Sequence, residues 1–155
     1  MKKNVLAAFL LFSVISCESD DNKSTDGGSG TTPTNIQFIT LGKGDATPAS
    51  AIAPRFNVIR TQADYDAFKT QTQLLNGVTV DFAVNEVIVI FDEYRNSSGF
   101  LIAVKSISKS DNKLTVEVQA SKGSDNVMTV NTQPFHAVRL QKTGLPVVFK
   151  ENAPL

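Results

Sequence analysis

Five consecutive apolar residues at positions 87–91 (VIVIF) limit the folds open to this chain. Four of the five side chains are β-branched, which favours an extended strand over a helix. A strand with one face in water alternates apolar and polar residues, whereas this run contains no polar residue. The sequence therefore predicts a central β-strand that is buried on both faces.

Other strand-like segments lie on both sides of this run. Polar or glycine-rich stretches at residues 42–45, 108–112 and 121–126 separate them, and we expect strand breaks or turns there. Short strands at such spacing predict an antiparallel sheet or a small sandwich. The predicted strands besides the apolar run are residues 36–41, 56–60, 100–107, 114–118, 135–140 and 147–149.

One segment has the periodicity of a helix. Thr61 is a good N-cap residue, Asp64 follows three positions later, and residues 76–77 (NG) are typical of a left-handed helix end. We therefore predict a helix over about residues 62–75 that covers the sheet and buries its aromatic side chains. The expected fold class is β-rich α+β. The apolar residues at helical spacing are Tyr65, Phe68 and Leu75.

The first sixteen residues have the composition of a secretory signal. Lys2 and Lys3 give a positive start, and residues 5–15 (VLAAFLLFSVI) form an uncharged, mostly apolar run of eleven residues. A membrane-spanning helix needs about 20 such residues, because each adds only about 1.5 Å of length. The shorter run suits a signal peptide, and we predict that residues 1–16 are removed.

The end of this run, residues 14–17 (VISC), resembles the lipobox of bacterial lipoproteins, in which a small residue precedes an invariant cysteine. The resemblance implies that Cys17 receives a diacylglycerol and becomes the first mature residue, often with a further acyl chain on its amino group. Two or three acyl chains hold a protein stably at a membrane. The alternative is an ordinary signal peptide followed by an incidental cysteine.

We predict that residues 17–35 form a flexible tether, because residues 18–35 contain no large apolar side chain. A single folded domain should follow over residues 36–155. The acidic residues 18–21 (ESDD) resemble the signal that sends lipoproteins to the outer surface of some Gram-negative bacteria. A merely solvated linker is the alternative. The expected location is the bacterial cell envelope, lipid-anchored at the outer membrane on its periplasmic or its outer face.

The composition excludes several classes of function. One cysteine excludes an intramolecular disulfide framework, and one cysteine with one histidine argues against a His/Cys zinc cluster. Fifteen basic residues balance fifteen acidic ones, and loss of Lys2 and Lys3 leaves a mature charge of about −2. The composition therefore lacks the excess of basic residues that is typical of nucleic-acid-binding proteins. We predict no metal, no cofactor and no nucleic-acid partner.

No catalytic motif is visible, and we predict that the protein is not an enzyme. His136 alternates with Val138 and Leu140 on an apolar strand face, which is typical of a hydrogen-bonded structural histidine rather than a catalytic base. Asp92 and Glu93 follow the apolar run and point to opposite faces, so we expect a solvated strand end rather than paired carboxylates or a calcium site.

About half of the mature chain, residues 80–149, resembles the C-terminal domain of the protease complex subunit PrcB. Ser98, Phe100 and Gln133 depart from the glycine, tyrosine and aromatic residue of that pattern. The segments that carry the resemblance are the apolar strand at 87–91, the turn at 96–100 (NSSGF), the alternating strand at 114–118, the strand at 133–140 (QPFHAVRL) and the closing strand at 146–149 (PVVF).

The resemblance implies a cell-envelope accessory or binding subunit, since the family includes a lipoprotein that assembles with a bacterial surface protease. We expect residues 95–100 to form a hairpin tip that presents backbone groups to a partner, or a turn in which Gly99 only supplies a positive φ. The alternatives are a protease-inhibitor-like module and a surface lipoprotein that binds a small molecule or glycan. The candidate partner-binding residues are Asn96, Ser97, Ser98, Gly99 and Phe100.

Overall fold

The computed structural model describes residues 32–53, 55–123 and 128–152. The predicted signal peptide, Cys17 and most of the predicted tether lie outside these ranges. Within them the chain forms two four-stranded sheets and one helix, which confirms the β-rich α+β class and its sandwich form. The elements are β1 (Thr34–Asn35), β2 (Phe38–Ala46), β3 (Phe56–Ile59), α1 (Gln62–Thr72), β4 (Asn85–Phe91), β5 (Phe100–Ser110), β6 (Lys113–Lys122), β7 (Gln133–Gln141) and β8 (Val147–Asn152).

The strand order is β2-β7-β4-β3 in one sheet, which α1 covers, and β1-β5-β6-β8 in the other. We refer to them as the helix-covered sheet and the opposing sheet. Their strand pairs are antiparallel except that β8 runs parallel to β6, with Leu114 opposite Val147. The parallel pair arises because the chain crosses from β7 in one sheet to β8 in the other instead of turning back in a hairpin.

β4 confirms the prediction of a strand buried on both faces, since residues 87–91 have no exposed surface. Val87, Val89 and Phe91 pack on the helix side of the sheet. Ile88 and Ile90 point the other way, into the core between the two sheets. Each such side chain contributes about 1.5–3 kcal/mol by leaving water, so this strand supplies a large share of both cores.

Helix α1 begins where the sequence predicts. The Thr61 side chain accepts a hydrogen bond from the backbone N–H of Asp64 at 3.1 Å, which satisfies one of the free amides of the first turn. Tyr65 and Phe68 are buried against the sheet. The predicted role of this helix as a cover, with its aromatic residues in the core, is therefore confirmed.

The helix ends three residues earlier than predicted, at Thr72 instead of residue 75. Gln73 adopts the left-handed conformation with φ 59°, and its backbone N–H donates to the carbonyl of Lys69 at 2.8 Å. A left-handed residue at this position closes the last helical turn. The stop expected at residues 76–77 is thus wrong, because a glutamine takes the terminating conformation first.

The predicted break at residues 42–45 is also wrong, since β2 continues through them to Ala46. The pairing of β2 with β7 shifts register between Thr40 and Gly42, which is a β-bulge. A Cβ atom on Gly42 would lie 2.7 Å from Cδ2 of Leu75. Gly42 therefore does not end the strand. Its lack of a side chain allows the segment after α1 to approach β2 closely.

One side of the sandwich is closed by β3 from the helix-covered sheet and β8 from the opposing sheet. The rings of Phe56 and Phe149 stack with centroids 4.6 Å apart. Just before β3, Arg55 Nε donates to the carbonyl of Phe91 at 3.2 Å, and its Nη2 lies 2.6 Å from a carboxylate oxygen of Glu151. These contacts bring the end of β4, the start of β3 and the end of β8 together.

Candidate functional site

Residues 92–99 connect β4 to β5 and include most of the candidate partner-binding segment. The expected hairpin tip is wrong, because β4 lies in the helix-covered sheet and β5 in the opposing sheet. The segment therefore crosses between the two sheets, and we call it the crossover. Asn96 is exposed, and the other four candidate residues are half-buried.

The crossover pairs with the segment that leads into β7. The backbone N–H of Arg95 donates to the carbonyl of Thr132 at 2.9 Å, and the N–H of Thr132 donates back at 2.8 Å. The Thr132 hydroxyl donates to the carbonyl of Ser97 at 2.8 Å, and the N–H of Ser98 donates to the carbonyl of Met128 at 3.0 Å. These bonds hold the backbone of the crossover against the segment that leads into β7.

Gly99 ends the crossover in a conformation that favours glycine. Its φ is 90°, and its carbonyl accepts a hydrogen bond from the N–H of Gly123 at 2.7 Å. The positive φ anticipated for this glycine is confirmed. Its role in binding a partner stays a prediction.

Three exposed apolar side chains lie beside the crossover, and we call them the apolar patch. Leu101, directly after the candidate residues, is 45% exposed, Met128 is 69% exposed and Val130 is 37% exposed. Val130 lies between Met128 and Thr132, which both pair with the crossover. Sequence reasoning missed Met128 and Val130, because nothing in their local pattern shows which surface they join.

A charged cavity of about 350 Å³ adjoins the crossover, which contributes Asp92, Glu93 and Arg95 to its lining. The Arg95 guanidinium lies over the ring of Phe100, 4.1 Å from its centroid, and also lines the cavity. Asp92 has a side chain only 4% exposed, so the expected solvated strand end is wrong for this residue. Glu93, 66% exposed, is solvated as expected.

His136 is a hydrogen-bonded residue of the core between the sheets, as predicted. Its Nδ1 accepts from the backbone N–H of Val104 at 2.9 Å, so Nε2 carries the proton and donates to Oγ1 of Thr40 at 2.9 Å. Burial, with a smaller contribution from the positive charge of Lys43, lowers the pKa of His136 to about 4. The ring is therefore neutral at physiological pH, with both nitrogens engaged.

Glu86 at the start of β4 is fully buried, which sequence reasoning did not foresee. One carboxylate oxygen accepts from Arg60 Nε at 2.7 Å, and the other accepts from the N–H and hydroxyl of Thr143 at 2.9 and 2.8 Å. Burial alone would raise the pKa of Glu86, but these hydrogen bonds outweigh it and lower the pKa. Both carboxylate oxygens are bonded, so Glu86 joins the start of β4 to the residues that follow β3 and β7.

A second cavity, of about 490 Å³, lies between residues 45–52 and the C-terminal end of α1. None of its lining residues is aromatic, although sugar-binding sites favour aromatic rings. Gln133 holds the adjoining loop by bonding both the N–H and the carbonyl of Ile52, at 2.7 and 3.1 Å. Within the described ranges, no three His, Cys, Asp or Glu side chains are grouped so that they could hold a metal ion.

No described helix is long and apolar enough to cross a membrane. No protein-family model matches the chain, and neither the curated proteins nor the solved structures include one that matches it. The similarity to the PrcB domain therefore stays a prediction based on the residues quoted above.

Proposed function

We propose that this protein is a lipid-anchored component of the bacterial cell envelope whose β-sandwich binds another protein as a non-catalytic accessory subunit. The anchor is Cys17, which directly follows the apolar run of residues 5–15 and Ser16. The polar residues 18–35 would hold the folded domain away from the lipid surface. The PrcB-like segments support a surface protease as the class of partner.

The observation that carries the binding role is the position of the apolar patch beside the crossover. Six large apolar side chains are exposed among the described residues, and three of them lie within two residues of the crossover or of a residue paired with it. Exposed apolar side chains concentrated in one region favour a contact surface, whereas scattered ones need no explanation. Leu101, Met128 and Val130 are exposed next to a backbone that internal hydrogen bonds hold in place. Exposed apolar side chains beside an ordered backbone suit the apolar centre of a protein-binding surface.

Site-directed crosslinking in intact cells tests this function. A photo-reactive amino acid replaces Met128 in one full-length variant and Val84 in the control. Both side chains are highly exposed, but Val84 precedes β4, at the end of that strand away from the crossover. We expect one stoichiometric protein adduct from position 128 and none from position 84. Equal yields at the two positions, or no adduct at position 128, would contradict the proposal.

A further inference from the structure

The charged cavity beside the crossover contains more carboxylates than cations. Its charged lining residues are Arg55, Asp92, Glu93, Arg95 and Glu151. Three carboxylates thus face two guanidinium groups, which leaves the cavity with one excess negative charge. Glu93 and Glu151 lie at its rim, with side chains 66% and 46% exposed, whereas Asp92 lies at its buried end.

Each arginine lies closer to a rim glutamate than to the buried aspartate. Arg55 Nη2 is 2.6 Å from Glu151 but 3.9 Å from Asp92. Arg95 Nη2 is 3.2 Å from Glu93 but 3.6 Å from Asp92. Both guanidinium groups therefore lie closer to an exposed glutamate than to Asp92, the buried carboxylate of the cavity.

Asp92 is left incompletely bonded by this arrangement. Its Oδ2 atom is buried and has no hydrogen-bond partner, and the buried Nε of Arg95 has none either. A buried polar atom without a partner is costly, and a buried charge more so. A change that released Arg95 from Glu93 would let the guanidinium close on Asp92 and satisfy both atoms.

We propose that this cavity binds a basic side chain, lysine or arginine, of the protein partner. The cation pairs with Glu93 and Glu151. Arg55 and Arg95, released from those glutamates, then move closer to Asp92 and donate hydrogen bonds to its carboxylate. A metal ion does not fit, because the described carboxylates, including the three that line this cavity, are not grouped so that three of them could hold one ion. The assignment rests on the proposed binding function and specifies it: the partner presents a basic residue next to apolar contacts.

A titration with a small probe tests the cavity without knowledge of the partner. The full-length protein in detergent micelles is titrated with N-acetyl-lysine amide, and NMR follows the Nε–H signals of Arg55 and Arg95 and the carboxyl carbon of Asp92. N-acetyl-norleucine amide is the uncharged control and N-acetyl-glutamate amide the anionic control. We expect these signals to shift saturably with the lysine probe and not to shift with either control probe.

Variants of the exposed glutamates connect those shifts to the cavity. The double variant Glu93→Gln with Glu151→Gln should weaken binding of the lysine probe about tenfold, because each substitution removes an ion pair to the probe. Glu93→Gln alone leaves the Arg55–Glu151 contact in place and should weaken binding in the same direction, and the thermal midpoint of each variant shows whether the fold is intact. Asp66→Asn, which removes an exposed carboxylate on α1, should leave probe binding unchanged. Loss of binding in both the double variant and Asp66→Asn would point to general charge attraction and overturn the assignment.

Other outcomes overturn the assignment as well. Stronger binding of the glutamate probe would mean that the arginines form an anion site, and no saturable shift with any probe would mean that the cavity holds only water. An adduct at position 128 without lysine binding would refute the cavity assignment alone. Lysine binding without an adduct would refute the proposed accessory function while the cation chemistry of the cavity stands.

Discussion

Nδ1 of His136 in β7 accepts a hydrogen bond from the backbone N–H of Val104 in β5, at 2.9 Å, and so joins the two sheets of the sandwich. The amide lies next to an irregularity in β5, where the register with β6 shifts between Val104 and Ser106. The imidazole supplies the acceptor that this buried amide requires. The bond forms only while the ring is neutral, because a protonated Nδ1 is a donor.

This bond predicts a loss of stability in mild acid. The pKa of His136 is about 4 in the folded protein, below the ordinary value of 6.5, so the unfolded chain takes up the proton first. The free energy of unfolding should therefore fall by about 1–3 kcal/mol between pH 6.5 and pH 4, with no further contribution from His136 below pH 4. Urea unfolding at a series of pH values measures this change.

The variant His136→Gln is the control for the acid effect. It lacks the titrating ring, so its unfolding free energy should depend less on pH over the same interval. An NMR titration of the wild-type ring gives the folded-state pKa independently. A measured pKa of 6 or higher would show that the ring can be protonated in place, contrary to the prediction.

The buried carboxylate of Glu86 predicts a second stability effect. Glu86→Gln keeps the shape of the side chain but removes the charge that pairs with Arg60, and it places an NH₂ group near the donors of Thr143. We expect the free energy of unfolding to fall by about 1–3 kcal/mol, less than for a fully buried pair because Arg60 is partly exposed. Chemical denaturation at neutral pH measures the change.

The matched variant for Glu86 is Asp66→Asn on α1. Asp66 also pairs with a cation, since Lys69 Nζ lies 3.0 Å from its carboxylate, but the pair is at the surface. Water and salt screen such pairs, so the midpoint of denaturation should stay unchanged. Equal effects of the two substitutions would mean that the burial of Glu86 does not increase the contribution of its ion pair to the free energy of unfolding.

The sequence was informative where the signal is local. The apolar run of residues 87–91 predicted a strand buried on both faces, and the Thr61 cap with the apolar spacing after it predicted α1. Whether consecutive strands share a sheet depends on contacts between distant residues. The hairpin expected at residues 95–100 was wrong for this reason, since β4 and β5 lie in different sheets.

The site was less predictable than the fold. Asp92 follows an apolar strand and has the sequence context of a solvated end, yet its side chain is only 4% exposed, at a cavity that Arg55 before β3 and Glu151 in β8 also line. Those residues are distant in the chain, and no local pattern connects them. The apolar patch escaped prediction likewise, because Met128 becomes part of a surface only by pairing with Ser98.

The apolar patch predicts a binding defect without a folding defect. Met128→Asp places a charge on a side chain that is 69% exposed, so the thermal midpoint should not change. Binding to the partner identified by crosslinking should weaken about tenfold, because the charge must lose water at the interface. Val84→Asp, at an apolar residue that is 55% exposed and lies away from the patch, should bind as the wild type does. Unchanged binding by Met128→Asp would exclude the patch from the interface.

The anchor predicts a change of location without a change of fold. Cys17→Ala removes the only thiol in the chain and therefore the only lipidation position of this kind. The variant should leave the membrane fraction, while its unfolding midpoint stays that of the wild type because position 17 precedes the folded domain. Cell fractionation followed by thermal unfolding of the recovered protein checks both parts.

The most direct test of the whole account is the mass of the mature amino terminus in protein extracted from cell membranes. We predict a chain that begins at Cys17, lacks residues 1–16 and carries a diacylglycerol on the cysteine sulfur. An unmodified Cys17 thiol on protein that is released into the medium would contradict the account.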